Sequence, residues 1–261
     1  MKILANDGIS NSGEKVLKEA GLNLLDNRVS QEHLIPFINE NKVEVLLVKN
    51  ATQVTKELID ACPSLKIIGK GGESMDNIEV EYAKSKGIHV INTPNAFAKS
   101  VAELVFAHFL TLIRFLHDSN RNMPLEGDSK FAFLKKSYEK ATELSGKTLG
   151  IIGFGNIGKE VAKIGIGLGM KIIFYTRKPK TDTISLEFFD GRTIDFEFTS
   201  TNDMEAFLKE ADFISINTSE TTEYIIDTPE FEMMKDGVFI VNTAKGGVIN
   251  EVTLIDYIEN K

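Results

Sequence analysis

Cysteine is almost missing from this chain: Cys62 is the only one, so neither a disulfide framework nor a thiolate metal cluster can form within it. No apolar run approaches the ~18 to 20 residues of a membrane span. The first eight residues, Met1 to Gly8, read as a short strand and turn rather than a charged and then greasy leader. Positive charge is in deficit. Against 38 Asp and Glu stand 30 Lys and Arg, a net charge of −8, with an isoelectric point near 5.2. That argues against a nucleic-acid footprint while leaving room for a local basic pocket that takes an anion. Histidine is scarce too, with His33, His89, His108 and His117 the whole supply. The default expectation is a reducing, cytoplasmic setting, with no membrane, nucleic acid or metal involved.

What is present is apolar mass punctuated by glycine. At 42% apolar content, 261 residues suffice for one large or two ordinary domains with real cores. The stretch Gly146 to Lys163 carries a strand, Leu149 to Phe154, through a glycine cluster into a helical pattern with apolar residues at Ile157, Val161, Ile164 and Leu168. Lys171 to Tyr175 supplies the next strand. Gly153, Gly155 and Gly158 occupy the glycine places of G-x-G-x-x-G. The first makes a tight turn, the second lets backbone approach a pyrophosphate, and the third packs helix on strand. Free N–H groups and the positive dipole end of the helix then hold the phosphates. Glycines so spaced are often only a turn; the strand, turn, helix, strand order is what makes this a dinucleotide site.

Strands and helices alternate on both sides of it. Lys2 to Asn6, Val43 to Val48, Leu65 to Gly69 and His89 to Asn92 read as strands, and Ser12 to Ala20, Glu32 to Asn41, Thr55 to Ala61 and Glu79 to Lys86 as helices. This rhythm predicts an α/β fold whose parallel sheet carries helices on both faces, in a first unit of about 95 residues. A long helix is predicted from Ser100 to Asn120, then an irregular connector from Met123 to Ala141 with some helix. After Tyr175, alternation on either side of Asp190-Gly191 predicts a β-hairpin. A helix at Met204 to Lys209, strands at Asp212 to Asn217 and Gly237 to Asn242, a short helix at Phe231 to Met234 and a last helix at Asn250 to Glu259 complete the reading.

Several runs then carry a resemblance to one family: Val48 to Val54, Ile68 to Ile78, Asn92 to Asn95, Ser100 to Glu103, the glycine stretch, and Val241 to Gly247. In this order, and spanning nearly the whole chain, they resemble the D-2-hydroxyacid dehydrogenases, most of all those that oxidise D-3-phosphoglycerate in serine biosynthesis. The resemblance implies two doubly wound parallel-sheet domains. Residues 1–95 would form a flavodoxin-like substrate (catalytic) domain, and residues 96–261 a Rossmann dinucleotide-binding domain that stops short of its C-terminal part. Substrate and nicotinamide would meet in the cleft between them. It also implies hydride transfer between NAD or NADP and C2 of a small anionic 2-hydroxy or 2-oxo acid, and a homodimer built through the nucleotide unit.

The same resemblance assigns residues. Lys245 stands at the family's catalytic arginine. Lys49, Lys70, Gly72, Glu73, Ser74 and Asn77 fall on the substrate side. Gly153, Gly155, Asn156, Ile157, Gly158, Tyr175, Thr176, Arg177, Thr218, Ser219, Thr243 and Ala244 fall on the cofactor side. Three arginine places are lysine here, at positions 49, 70 and 245. Lysine keeps the charge but loses the planar two-pronged grip on carboxylate or phosphate. A Glu73 carboxylate pointing inward would repel an anionic substrate. The family's glutamate and Pro-His segments have no counterpart before Lys261, so a nucleotide-binding protein with impaired turnover, or a fragment of an enzyme, stands beside the dehydrogenase reading. Apolar surface is then expected near Val238 to Val241 and along the first sheet. The four histidines read as packed or surface groups. Thr176, followed by Arg177 and Lys178, offers no carboxylate for ribose hydroxyls, which keeps NADPH open beside NADH; the alternative for those cations is a solvated loop.

Overall fold

The computed structural model describes residues 1–218 and 223–260. The chain divides into two compact units, Met1–Phe97 and Ala98–Lys261. In the first, β1 (Lys2–Ala5), β2 (Asn23–Leu25), β3 (Val45–Val48), β4 (Ile67–Lys70) and β5 (His89–Asn92) form one parallel sheet in the order β2-β1-β3-β4-β5. That is the flavodoxin-like order. Crossovers are made by α1 (Asn11–Glu19), α2 (Gln31–Asn41), α3 (Lys56–Ala61) and α4 (Val80–Ser85). Ser10 and Thr55 cap α1 and α3 through their hydroxyls, holding donors that a helix start leaves unpaired. Leu4, Leu34, Ile38, Leu46, Leu58 and Ile68 are fully buried in one core. Cys62 lies in it, where burial pushes its thiol up to about 11, so it is a packing group rather than a nucleophile.

The second unit is Rossmann-type. Strands β6 (Thr148–Ile152), β7 (Lys171–Tyr175), β10 (Phe213–Ile216) and β11 (Phe239–Asn242) run parallel in the order β11-β10-β6-β7. A single parallel bridge from Tyr175 to Thr201 adds a rudimentary strand beyond β7, so five of the six places of the dinucleotide-binding order are filled by described residues. Helices α5 (Ala98–Ile113) and α7 (Asn156–Gly167) pack together over one face, around Phe109, Val161 and Phe213. Helices α8 (Met204–Glu210), α9 (Thr228–Met233) and α10 (Glu251–Asn260) cover the other, around Phe207, Ile214 and Phe231.

Between β7 and the Thr201 bridge the crossover is a hairpin, not a helix. Strands β8 (Thr181–Glu187) and β9 (Thr193–Thr199) pair antiparallel with Ile184 opposite Phe196. Ile184 is buried against Phe174 and Phe198, while Phe189 at the bend stands fully in solvent.

Three expectations are corrected here. The long helix ends at Ile113 instead of Asn120: Phe115 takes a left-handed conformation (φ 52°) and the chain turns by 53°. The connector is then helical, α6 (Leu116–Ser137), with a break at Lys130. Tyr138 stacks back on Phe115, so the two ends of α6 meet. Finally, Val241 is buried and Phe239 and Ile240 are half-buried; in the second unit exposed apolar side chains lie instead on α10, at Val252, Ile255 and Ile258, and on α5 and α6, whereas on the first sheet Ile91 is exposed as expected. Among the described residues no single helix is long and apolar enough to cross a membrane, and α5 and α6 reach that length only as a bent pair.

Candidate functional site: loops at the carboxyl edges of two sheets

In open parallel sheets, ligands bind beyond the carboxyl ends of the strands. Each unit carries its expected site residues there. In the first unit, the loops after β1, β3 and β4 are tied together by hydrogen bonds. Asp7 Oδ2 accepts from the Lys49 N–H at 2.6 Å and the Thr52 N–H at 3.2 Å, and Asp7 Oδ1 accepts from the Thr52 hydroxyl at 2.7 Å. Burial pushes the Asp7 carboxyl up, but these donors outweigh it and leave the group below its ordinary value. Asn6 joins the set through the Thr52 hydroxyl at 2.8 Å. The sequence reading missed both residues; the Asp7-Gly8 turn after the first strand was the signal available.

Lys70 is buried, and its ammonium donates to the Lys49 carbonyl (2.6 Å), Asn50 Oδ1 (2.7 Å) and Asn77 Oδ1 (2.6 Å). A lysine has three protons, so nothing is left for a substrate anion. Desolvation draws its pKa down. Lys70 is therefore a strut under the β3 loop rather than a ligand contact, which corrects the sequence expectation. Asn77 is likewise structural through Nδ2, which donates to the carbonyls of Lys49 and Thr52. Lys49 is the reverse case: its backbone is pinned, but its side chain is exposed with no polar partner among the described residues. Gly72 is buried at φ 150°, with its N–H on the Thr93 hydroxyl. The Glu73 carbonyl accepts from Asn92 while its carboxylate faces outward, and the Ser74 hydroxyl accepts from the Asp76 N–H.

In the second unit the three glycines serve three different ends. Gly153 sits at φ 104°, where a Cβ would come within 2.6 Å of the Asn217 carbonyl oxygen. At Gly158 a Cβ would overlap the Gly153 carbonyl oxygen. At Gly155 a Cβ would meet nothing within 4 Å, so that glycine is not explained by packing. Helix α7 starts at Asn156, with Gly155 as its N-cap and no side-chain cap hydrogen bond at its start among the described residues. A pyrophosphate fits this cradle, since bare donors, a positive dipole end and open space coincide. Ile157 turns its side chain into the core and Asn156 stays exposed.

The neighbouring strand ends complete this edge. Tyr175 closes β7, its carbonyl taking the Gly153 N–H at 3.0 Å and its ring tilting on Phe207. Thr176 Oγ1 is engaged by Ser200 (2.6 Å) and the Lys178 carbonyl (2.9 Å). Arg177 is exposed. Thr218 follows β10 and is half-buried, whereas Ser219 lies outside the described residues. Thr243 and Ala244 follow β11, the first touching Asn217 and the second donating to Asn242 Oδ1 at 3.0 Å. Lys245 is exposed on the same loop, its carbonyl taken by Asn242 Nδ2 at 3.1 Å. All four histidines are exposed, and none stands on a carboxyl-edge loop.

Residues 106–261 match the model of the family described as D-isomer specific 2-hydroxyacid dehydrogenase, NAD binding domain. The chain belongs to this family. Among relatives of the D-isomer specific 2-hydroxyacid dehydrogenases, the hydroxypyruvate reductase of Thermotoga maritima is 40% identical over 98% of this chain and 78% of its own length. The D-3-phosphoglycerate dehydrogenase of Methanocaldococcus jannaschii is 34% identical over 98% of this chain, which spans 46% of that longer protein. Among solved structures, the NAD+-bound 3-phosphoglycerate dehydrogenase of Entamoeba histolytica superposes with a TM-score of 0.70 at 25% identity, covering 100% of this chain and 77% of that one. Membership makes this chain an oxidoreductase whose cofactor is NAD or NADP, in keeping with the Gly155 cradle.

Proposed function

We propose that this chain reduces a short 2-oxo acid of the hydroxypyruvate type to the D-2-hydroxy acid, with residues 1–97 as substrate unit and 98–261 as nucleotide unit. The observation that carries the choice of substrate is the division of labour between two lysines. Lys49 keeps an uncommitted ammonium at the carboxyl edge while Lys70 is spent internally. One lysine, with an outward carboxylate at Glu73 on the next loop, suits a single carboxylate better than a carboxylate together with a phosphate. The Thermotoga relative agrees with that charge count.

The nicotinamide supplies the hydride when bound. This chain's own residues orient and neutralise. Lys49 takes the substrate carboxylate beside the Gly72–Ser74 backbone, and Lys245, the one cation on the Asn242–Asn250 loop, polarises the 2-oxo oxygen, which takes its proton from solvent as it becomes the hydroxyl. The second reading is D-3-phosphoglycerate dehydrogenase, favoured by the Methanocaldococcus relative. A protein that binds dinucleotide without turning over is favoured by the surface placement of all four histidines. One assay divides the three: purified chain with NADH or NADPH, offered hydroxypyruvate or 3-phosphohydroxypyruvate, followed at 340 nm. Hydroxypyruvate is expected to be used with roughly tenfold or greater preference in kcat/KM. Preference for the phosphorylated acid would transfer the assignment to the second reading, and no turnover with either would leave the binding protein.

The same reading includes a cytoplasmic homodimer. Leu104, Leu112, Leu116, Leu125, Phe131 and Phe133 are all exposed on α5 and α6, and apolar side chains exposed along two consecutive helices fit a protein–protein contact. Light scattering should give twice the 29.0 kDa chain mass. Leu125→Lys together with Phe133→Lys should return it to the monomer mass without lowering helix content; a wild-type monomer at micromolar concentration would remove the dimer from the proposal.

A further inference from the structure

We propose that the turn from Thr176 to Lys180 is a built receptor for the 2′-phosphate of NADPH, so that this chain selects the phosphorylated dinucleotide. The inference rests on the nicotinamide-dependent reading above and specifies which nicotinamide serves it.

The place is fixed by topology. The turn follows β7, the strand next to the one that opens into the glycine turn, where the adenosine ribose of a bound dinucleotide lies in this fold. NAD-selective sites put a carboxylate there to accept from the two ribose hydroxyls. From Lys171 to Thr181 this chain has none. The first carboxylate beyond, Asp182, is committed to Lys159 at 2.6 Å, and that ammonium with its neighbours holds Asp182 well in its charged form. The Thr176 hydroxyl offers no substitute, since Ser200 and the Lys178 carbonyl already engage it.

The turn is also held in shape, which a solvated loop does not require. Ser200, 2% exposed, accepts from the Lys180 N–H at 3.0 Å and lies 3.2 Å from the Lys180 carbonyl. The Thr176 N–H donates to the Thr201 carbonyl at 2.9 Å. Lys180 reaches back to the glycine loop, its ammonium donating a hydrogen bond to the Phe154 carbonyl at 2.8 Å and standing 5.0 Å over the Phe154 ring. What this stapling leaves outside is two cations, Arg177 and Lys178, exposed and without a polar side-chain partner among the described residues. A planar guanidinium and an ammonium on a fixed turn match a phosphate dianion, with the arginine able to take two oxygens at once. Ordering cost, the usual tax on surface charge pairs, has been met in advance by Ser200 and Lys180.

The test is equilibrium binding, by calorimetry, of NADPH, NADH, 2′,5′-ADP and 5′-ADP to the full chain. NADPH is expected to bind at least tenfold tighter than NADH, and 2′,5′-ADP tighter than 5′-ADP by a similar factor, with both gaps narrowing as salt rises. Arg177→Ala with Lys178→Ala should bring NADPH to the affinity of NADH while NADH itself moves less than about twofold. Equal or tighter binding of NADH by the wild-type chain would overturn the phosphate receptor and leave the dehydrogenase reading standing. Failure of all four nucleotides to bind would bring down both.

Discussion

Gly155→Ala is expected to keep the fold and lose the cofactor. The added methyl meets no atom within 4 Å, and an alanine N-cap in place of glycine costs under about 1 kcal/mol. Yet it fills the space through which backbone N–H groups face a pyrophosphate, so dinucleotide affinity should fall roughly tenfold to a hundredfold. Gly158→Ala, three residues along the same helix start, is expected to fail differently. Its methyl overlaps the Gly153 carbonyl oxygen and presses on Ile151 at 3.2 Å, so helix α7 must lift from the sheet at a cost of about 1 to 3 kcal/mol. A calorimetric melt beside a binding isotherm separates the two variants. If Gly155→Ala bound dinucleotide as the wild type does, the open space would have no cofactor role and the phosphate-cradle assignment would be lost.

Lys70→Met should be the most damaging change in the first unit. Asn50 Oδ1 and Asn77 Oδ1 would lose the ammonium that now donates to them, and the Lys49 carbonyl would keep only the Asn77 amide. Relief of a buried charge offsets part of this, leaving a net loss of about 2 kcal/mol. For a unit of 97 residues that is roughly 10 °C in melting temperature. Because the Lys49 loop is what loosens, KM for the 2-oxo acid should rise several-fold while the dinucleotide dissociation constant stays put. A variant whose KM rose only in step with its nucleotide affinity would show that Lys70 is no strut for the substrate loop.

Much of this was readable beforehand, for reasons that can be named. Strand-to-helix alternation, the glycine turn and the hairpin around Asp190-Gly191 are local signals with fixed periods, and the structure places each within a few residues of its predicted position. The bend at Phe115 had no such signal: Ile113, Leu116 and the residues between continue a helical apolar rhythm without glycine or proline. Only burial distinguishes them, Ile113 lying in the core and Leu116 outside it. Strand β2, three residues at a sheet edge, is too short for periodicity to register. Lys70 was misread because a lysine in an anion-binding family suggests a ligand contact. Its saturation by oxygens seven to 21 residues away is a tertiary fact. Ser200 was passed over for the same reason, since a serine after a strand carries no mark of what it will fasten.

The hairpin that replaces the crossover helix gives an experimenter a handle. Two seven-residue strands extend roughly 20 Å, and the bend at their far end is closed by the Phe188 N–H on the Arg192 carbonyl, the Gly191 N–H on the Phe188 carbonyl, and the Asp190 carboxylate, which accepts from both the Arg192 N–H and its guanidinium. A fluorophore or affinity peptide carried at Phe189, which stands fully in solvent, would ride on a stiff arm rooted beside the proposed 2′-phosphate receptor, to report nucleotide arrival without touching the Thr176–Lys180 turn.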